Sequence, residues 1–186
     1  MKKMLAIVLT VLMVCSLTSP AWAAVKKIPS ATDEALVLDW EDTSAIVEEG
    51  DGDFYTFEDA AVMIWIPKEL ESLELDEEDL EAGFIGYFYD EEDDYTVSVV
   101  LGDVGVESLD EWKTVLKDEM EIADVGNCVI NGYEAVIYSD AEEDYFCVDF
   151  IMESGRLLEF TFSPYSDEDF FAGAVVILSS IQPYEE

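Results

Sequence analysis

Residues 125–163, "VGNCVINGYEAVIYSDAEEDYFCVDFIMESGRLLEFTFS", decide how this chain folds. Asn131-Gly132 signals a two-residue hairpin, because a type I′ turn needs positive φ at both central positions. Used so, it sets Ile130 opposite Tyr133 and Cys128 opposite Ala135. A second loop, 139–144, is expected to set Tyr138 opposite Tyr145, Ala135 opposite Val148 and Val136 opposite Cys147. A third, Glu153-Ser154-Gly155, sets Phe150 opposite Leu158 and Val148 opposite Phe160. One sheet face then collects Cys128, Ile130, Ala135, Ile137, Phe146, Val148, Phe150, Leu158, Phe160 and Phe162, all apolar. A one-residue slip would turn a strand's apolar set to the other face, so the pattern fixes which side chains meet the core. The opposite face mixes Glu134, Tyr138, Asp149 and Glu159 with Val136 and Ile151.

Helix signals flank this meander. Ser108 with Glu111 reads as a capping box, and Leu109, Trp112, Leu116 and Met120 follow at helical spacing, predicting a helix over roughly 108–120. After Pro164, Ser166 with Asp169 is expected to cap a last helix. Its apolar stripe is Phe170, Ala174, Ile177, Leu178 and Ile181, and Pro183 marks its end. Both capped helices are expected to roof the apolar face.

Upstream, Phe84–Tyr89 and Tyr95–Leu101 read as a hairpin with an acidic tip, since Tyr95, Val97, Val99 and Leu101 alternate with Thr96 and Ser98. A short helix is expected around 77–82. Ala61–Ile66 is an apolar run of strand length stopped by Pro67. Asp53–Phe57 reads as a strand returning from the Gly50-Asp51-Gly52 turn. Ala35–Trp40 and Ser44–Glu49 are read as two short strands.

The N-terminus reads as an export signal. Lys2 and Lys3 precede the apolar run Met4–Val14, and Ala21-Trp22-Ala23 before Ala24 places small residues where a signal peptidase cuts. The run is shorter than the roughly 20 residues of a membrane span. Expected boundaries are a signal peptide over 1–23, a leader with short strands of unassigned role over 24–52, and one α+β domain over 53–186. The expected location is secreted or extracellular. The alternative is a lipid anchor through Cys15, although Val14 fits a lipoprotein signal poorly.

Charge removes whole classes of function. Forty-five acidic residues face eight basic ones with no histidine, a formal net charge of −37. Nucleic acid and anionic lipid need Lys and Arg against phosphate, so neither is an expected partner. Without histidine the Ser–His and Cys–His nucleophile pairs are missing, and so is the commonest zinc ligand. No phosphate loop, dinucleotide fingerprint or Cys-x-x-Cys appears. No catalytic or cofactor-binding residue is assigned, and no cofactor is expected.

Export permits a disulfide between Cys128 and Cys147. The register sends their side chains to opposite faces on strands two spacings apart, roughly 9–10 Å, beyond the reach of a bridge at about 7 Å. Two free thiols are expected, with a disulfide as the alternative. Among the acidic clusters, Asp90, Glu91, Glu92, Asp93 and Asp94 are weak candidates for calcium, since the run lacks the ligand order of a recognised calcium loop. A carboxylate pair for glycoside hydrolysis carries no information among so many acids. Trp65 and Trp112 lie in apolar segments and read as core.

The order is hairpin, capped helix, strand meander and final helix. It comes with "AAVMIWIP" (60–67), "SLDEWKTVLKDEM" (108–120), "INGYEAVIYS" (130–139) and "ILSSIQP" (177–183). Over roughly residues 53–183 it resembles the Mog1/PsbP-like family, and is similar to small exported proteins of Gram-positive anaerobes with this layout. The resemblance implies an α+β fold, an antiparallel sheet flanked by helices in an α/β/α sandwich, used as a non-catalytic binding or assembly module. Members of that family bind partners as different as a small GTPase and a photosystem, so the likeness implies no particular partner and no functional residue. The expectation is a secreted, non-enzymatic binding or accessory module at the cell envelope, with a cationic ligand or basic protein favoured as partner. Alternatives are a calcium-dependent surface module and a carbohydrate-acting hydrolase.

Overall fold

The computed structural model describes residues 35–184. The expected signal segment with Cys15, the expected cleavage position at Ala23–Ala24 and the expected leader to residue 34 lie outside the described residues.

The eleven described strands are β1 (Leu36–Leu38), β2 (Gly52–Phe57), β3 (Val62–Pro67), β4 (Glu71–Ser72), β5 (Phe84–Asp90), β6 (Tyr95–Gly102), β7 (Asp124–Ile130), β8 (Tyr133–Asp140), β9 (Tyr145–Ile151), β10 (Leu157–Ser163) and β11 (Gln182–Pro183). The described helices are α1 (Trp40–Glu49), α2 (Glu77–Glu81), α3 (Leu109–Asp118) and α4 (Glu168–Ser179). Eight strands form the main sheet in the order β1-β7-β8-β9-β10-β6-β5-β4, and β11-β3-β2 form a smaller one. The class is α+β.

The meander sits at the centre of the main sheet. Asn131 (φ 51°) and Gly132 (φ 85°) both adopt the left-handed conformation that a type I′ turn requires. Ile130 pairs with Tyr133 and Cys128 with Ala135; Phe150 pairs with Leu158 and Val148 with Phe160. The middle hairpin differs from expectation by two residues. Asp140 pairs with Tyr145 and Ile137 with Val148, so Cys147 lies opposite Tyr138 rather than Val136. A two-residue shift leaves every side chain on its face, so alternation alone cannot choose between these registers. The turn chooses: Asp140 Oδ1 accepts from the amides of Glu142 and Glu143, and Asp144 takes positive φ (58°).

The ten face residues are all buried. They pack with Val97, Val99 and Leu101 of β6, with Phe170, Phe171, Ala174 and Ile177 of α4, and with Ile64 and Ile66 of β3. Phe146 stacks on Phe162 with centroids 4.9 Å apart and meets Phe171 edge-on at 5.1 Å.

Four expectations are corrected. First, α3 does not share that face. Trp112 and Leu116 cover the other side of the sheet, over Val136, Tyr138, Cys147 and Leu157. The meander is therefore buried on both faces at its centre. Second, Ser44–Glu49 belongs to helix α1, not to a strand. Its Thr43 and Val47, four residues apart, are buried on one side, Val47 packing against Trp65 and Val176. The supposed leader thus joins the fold from Leu36 onward, and β1 adds a parallel edge to an otherwise antiparallel sheet by pairing with β7. Third, the Ser108–Glu111 box closes by half. Ser108 Oγ accepts from the Glu111 amide, but the Glu111 carboxylate takes the amide of Glu107. Fourth, Asp167 caps α4 by accepting from Asp169 and Phe170. Ser166 is instead held by both carboxylate oxygens of Asp144.

Gly52 marks a close approach. A Cβ there would stand 2.5 Å from the Trp65 indole and 2.6 Å from the Ile66 carbonyl oxygen. Neither the buried ring nor the strand backbone can move aside freely. Gly52→Ala is expected to lower stability by about 1–3 kcal/mol, read as a lower urea midpoint with an unchanged m-value.

Candidate functional site

Three chain segments end together at one rim of the main sheet. They are the β7–β8 turn, the β9–β10 turn, and the β3–β11 ribbon with the 3₁₀ turn Glu58–Ala60 that precedes it. Between them lies a cleft of about 590 Å³. Its floor is apolar and buried: Val62, Phe150, Leu158 and Ile181. Its rim carries the exposed carboxylates Asp59, Glu134 and Glu153 together with Tyr133, a residue 52% exposed. No Lys or Arg lines it.

Asn131 builds this rim. Its side-chain oxygen accepts from the Trp40 amide at 2.6 Å, and its Nδ2 donates to the carbonyls of Ser179 and Ile181 at 2.9 and 2.7 Å. One turn residue thus ties the β7–β8 hairpin to the start of α1 and the end of α4. That places Ile181, Gln182 and Pro183 along the cleft.

A second polar assembly lies under α3 on the far face. Asp149 has no exposed surface. Its Oδ2 accepts from the Trp112 indole N–H, while Oδ1 has no hydrogen-bond partner. Across the β9–β10 pair stands Glu159, whose oxygens accept from Tyr138 Oη at 2.9 Å and Thr161 Oγ1 at 3.2 Å. Cys147 Sγ lies 3.3 Å from Thr161 Oγ1. Burial first, and the neighbouring Glu159 charge second, push the Asp149 carboxyl well above the usual carboxylate range. Burial likewise raises the Tyr138 phenol and the Cys147 thiol, with the Asp149 and Glu159 charges adding to both.

The sequence-derived candidates fall outside both places. Asp90–Asp94 form the tip of the β5–β6 hairpin. Asp90 Oδ1 is occupied by the Glu92 amide, and Asp94 (φ 59°) turns the chain back. Among the described residues no three Asp, Glu or Cys side chains gather as a metal-binding group. Trp65 and Trp112 are buried. Cys128 and Cys147 are buried and unbridged, Cys128 in the core beneath α4 and Cys147 beneath α3. Burial pushes the Cys128 thiol up to about 12. Thiolate is the reactive form, so neither cysteine of the folded protein is expected to react with a thiol-specific disulfide reagent at pH 8. Both should react once urea unfolds the chain; rapid labelling of either in the native state would contradict these environments.

Sequence reasoning missed the cleft, since its lining comes from residues 59–62, 132–134, 150–154 and 181–183 together with Leu109 and Leu158. It also missed the Asp149 assembly. The one signal available for the latter was an acid flanked by Val148 and Phe150 in a strand that is otherwise apolar.

The fold defines a class: the Mog1/PsbP-like α+β fold. Among solved structures the chain is similar to cyanobacterial PsbP (CyanoP) from Synechocystis sp. PCC 6803. The TM-score is 0.50 at 13% sequence identity, and the match covers 73% of this chain and 94% of that one. At that identity the likeness establishes the fold. No protein-family model matches the sequence, and no curated protein matches it. Among the described residues no helix is long and apolar enough to cross a membrane.

Proposed function

We propose that this protein is an exported, non-enzymatic binding or accessory module of the cell envelope whose partner is cationic. The observation that carries the reading is the imbalance of its charged surface. Of the described basic residues, Lys68 is paired with Asp51, Lys113 with Asp110, and Arg156 donates to the Leu101 carbonyl. The carboxylates that surround them have few such partners. A field of one sign steers and selects an oppositely charged surface. The N-terminal pattern of Lys2-Lys3, apolar run and Ala-x-Ala supports export.

The chemistry of the chain supports the non-enzymatic part. It has no histidine. Among the described residues, the one carboxylate pair that the sheet register sets directly opposite, Asp149 and Glu159, has Asp149 sealed beneath Trp112. A general acid must reach its substrate, and Asp149 meets nothing outside the protein.

The test is affinity capture from the envelope fraction of the source cell on immobilised mature protein, beside an unrelated protein of equal size and charge. The reading expects specific, salt-eluted capture of a basic protein that the control does not retain. Equal recovery on both supports would count against it.

A further inference from the structure

We propose that the cleft at the β7–β8 rim is a peptide-binding site that accepts an apolar or aromatic side chain flanked by lysine or arginine. This rests on the reading of the protein as a module for a cationic partner, and it adds a place and a chemistry.

Three properties of the cleft argue for it. Its size, about 590 Å³, falls within the range of roughly 300–1,000 Å³ typical of ligand pockets. Its buried floor sets Phe150 and Leu158, from paired strands of the main sheet, beside Val62 and Ile181. Side chains held on paired strands spend little on ordering themselves, which favours affinity. Its rim draws Asp59, Glu134 and Glu153 from three separate elements, and among the described residues none of the three meets a cation or a hydrogen-bond donor. Carboxylates around an apolar concavity focus a negative potential into it.

The two halves of the lining select the ligand jointly. A purely apolar guest would fill the floor but leave three carboxylates crowded and unpaired. A purely polar cation would pair the rim but leave the floor wet. A second copy of this chain would bring its own excess of carboxylates against the rim, and like charges oppose that approach. An extended segment with one apolar side chain between basic ones satisfies floor and rim together.

Isothermal titration of the mature protein at physiological salt, with two synthetic peptides, tests this. One is acetyl-Lys-Phe-Lys-Leu-Lys-amide; the other replaces Phe and Leu by serine at equal charge. The proposal expects the first to bind one saturable site at least about tenfold more tightly than the second, a difference of about 1.4 kcal/mol. It expects Glu134→Lys/Glu153→Lys to weaken that binding about tenfold or more. Glu91→Lys/Glu92→Lys, the same charge change at the distant β5–β6 tip, should alter it by less than about twofold. All four positions are exposed, and circular dichroism of both variants is the check that they fold.

Equal weakening by the two variants would mean attraction to the overall charge alone; it overturns the cleft and leaves the cationic-partner reading standing. Equal binding of the two peptides would remove the role of the apolar floor and overturn the site. Failure of both peptides to bind would overturn the cleft, while the partner reading is judged separately by the capture experiment.

Discussion

Replacing Asp149 by asparagine is expected to stabilise the protein at pH 7 and to flatten the dependence of its stability on pH. Asp149 is wholly buried on the α3 face. The groups around it are the Trp112 indole from α3, Glu159 across β10, and Cys147 and Tyr138 on the same face of the sheet. Only the indole favours its charged form; burial and Glu159 oppose it more strongly. The folded-state pKa therefore lies above the unfolded value of about 3.9. Between those two values the native state holds a proton that the unfolded chain has released. The slope of stability with pH follows unfolded minus native proton number, so here it is negative. The contribution is complete below pH 4 and is lost as pH rises toward the folded pKa, at up to about 1.4 kcal/mol per pH unit. Asparagine keeps an oxygen for the Trp112 N–H and carries no charge at any pH. Urea unfolding of both proteins at pH 5 and pH 7.5 separates this residue from the other acids, which the two share. Asp149→Asn should gain on the parent by more than about 1 kcal/mol between those pH values. A constant difference would mean that Asp149 does not hold its proton in the fold.

That acid illustrates what the sequence could and could not announce. Alternation made the principal core face legible, because ten apolar residues at period two fix which side chains of β7 to β10 turn to the core, though not the β8–β9 register, which the turn sets. The hairpin turn at Asn131-Gly132 was legible from its φ requirement. Yet the same asparagine's side chain also binds Trp40, Ser179 and Ile181, and nothing local encodes partners so distant along the chain. Helix α1 reads as strand because Ala45-Ile46-Val47 is a short apolar run, while its packed face is the brief helical set Trp40, Thr43, Ile46 and Val47. The parallel pairing of β1 with β7 joins segments some ninety residues apart, a non-local contact without a turn to mark it. The placement of α3 was recoverable in principle. Val136, Tyr138, Cys147 and Leu157 give the second face an apolar patch at its middle, and a patch that size needs a cover. The cleft itself was not recoverable, since it exists only where five separated segments meet.

The largest single loss of stability is expected from Phe146→Ala. Phe146 is fully buried at the junction of β9, β10 and α4, in ring contact with Phe162, Phe171 and Tyr165. Removing its ring loses the transfer energy of the aromatic side chain. It also opens a void that these neighbours cannot close, because Phe162 is held by the β10 pairing and Phe171 by α4. Such truncations cost about 3–5 kcal/mol, against a total stability of about 5–15 kcal/mol for an ordinary domain. The adjacent residue supplies the control. Cys147 points to the other face, beneath Trp112 and Leu116, and Cys147→Ala removes one atom instead of a ring, for an expected loss of less than about 1.5 kcal/mol. If β9 slipped by one residue, Phe146 would leave the face it shares with α4 and Cys147 would take its place. The ratio of the two losses in urea unfolding therefore reads the register. A large loss at 146 with a small one at 147 agrees with the observed pairing, and comparable losses at both positions would overturn it.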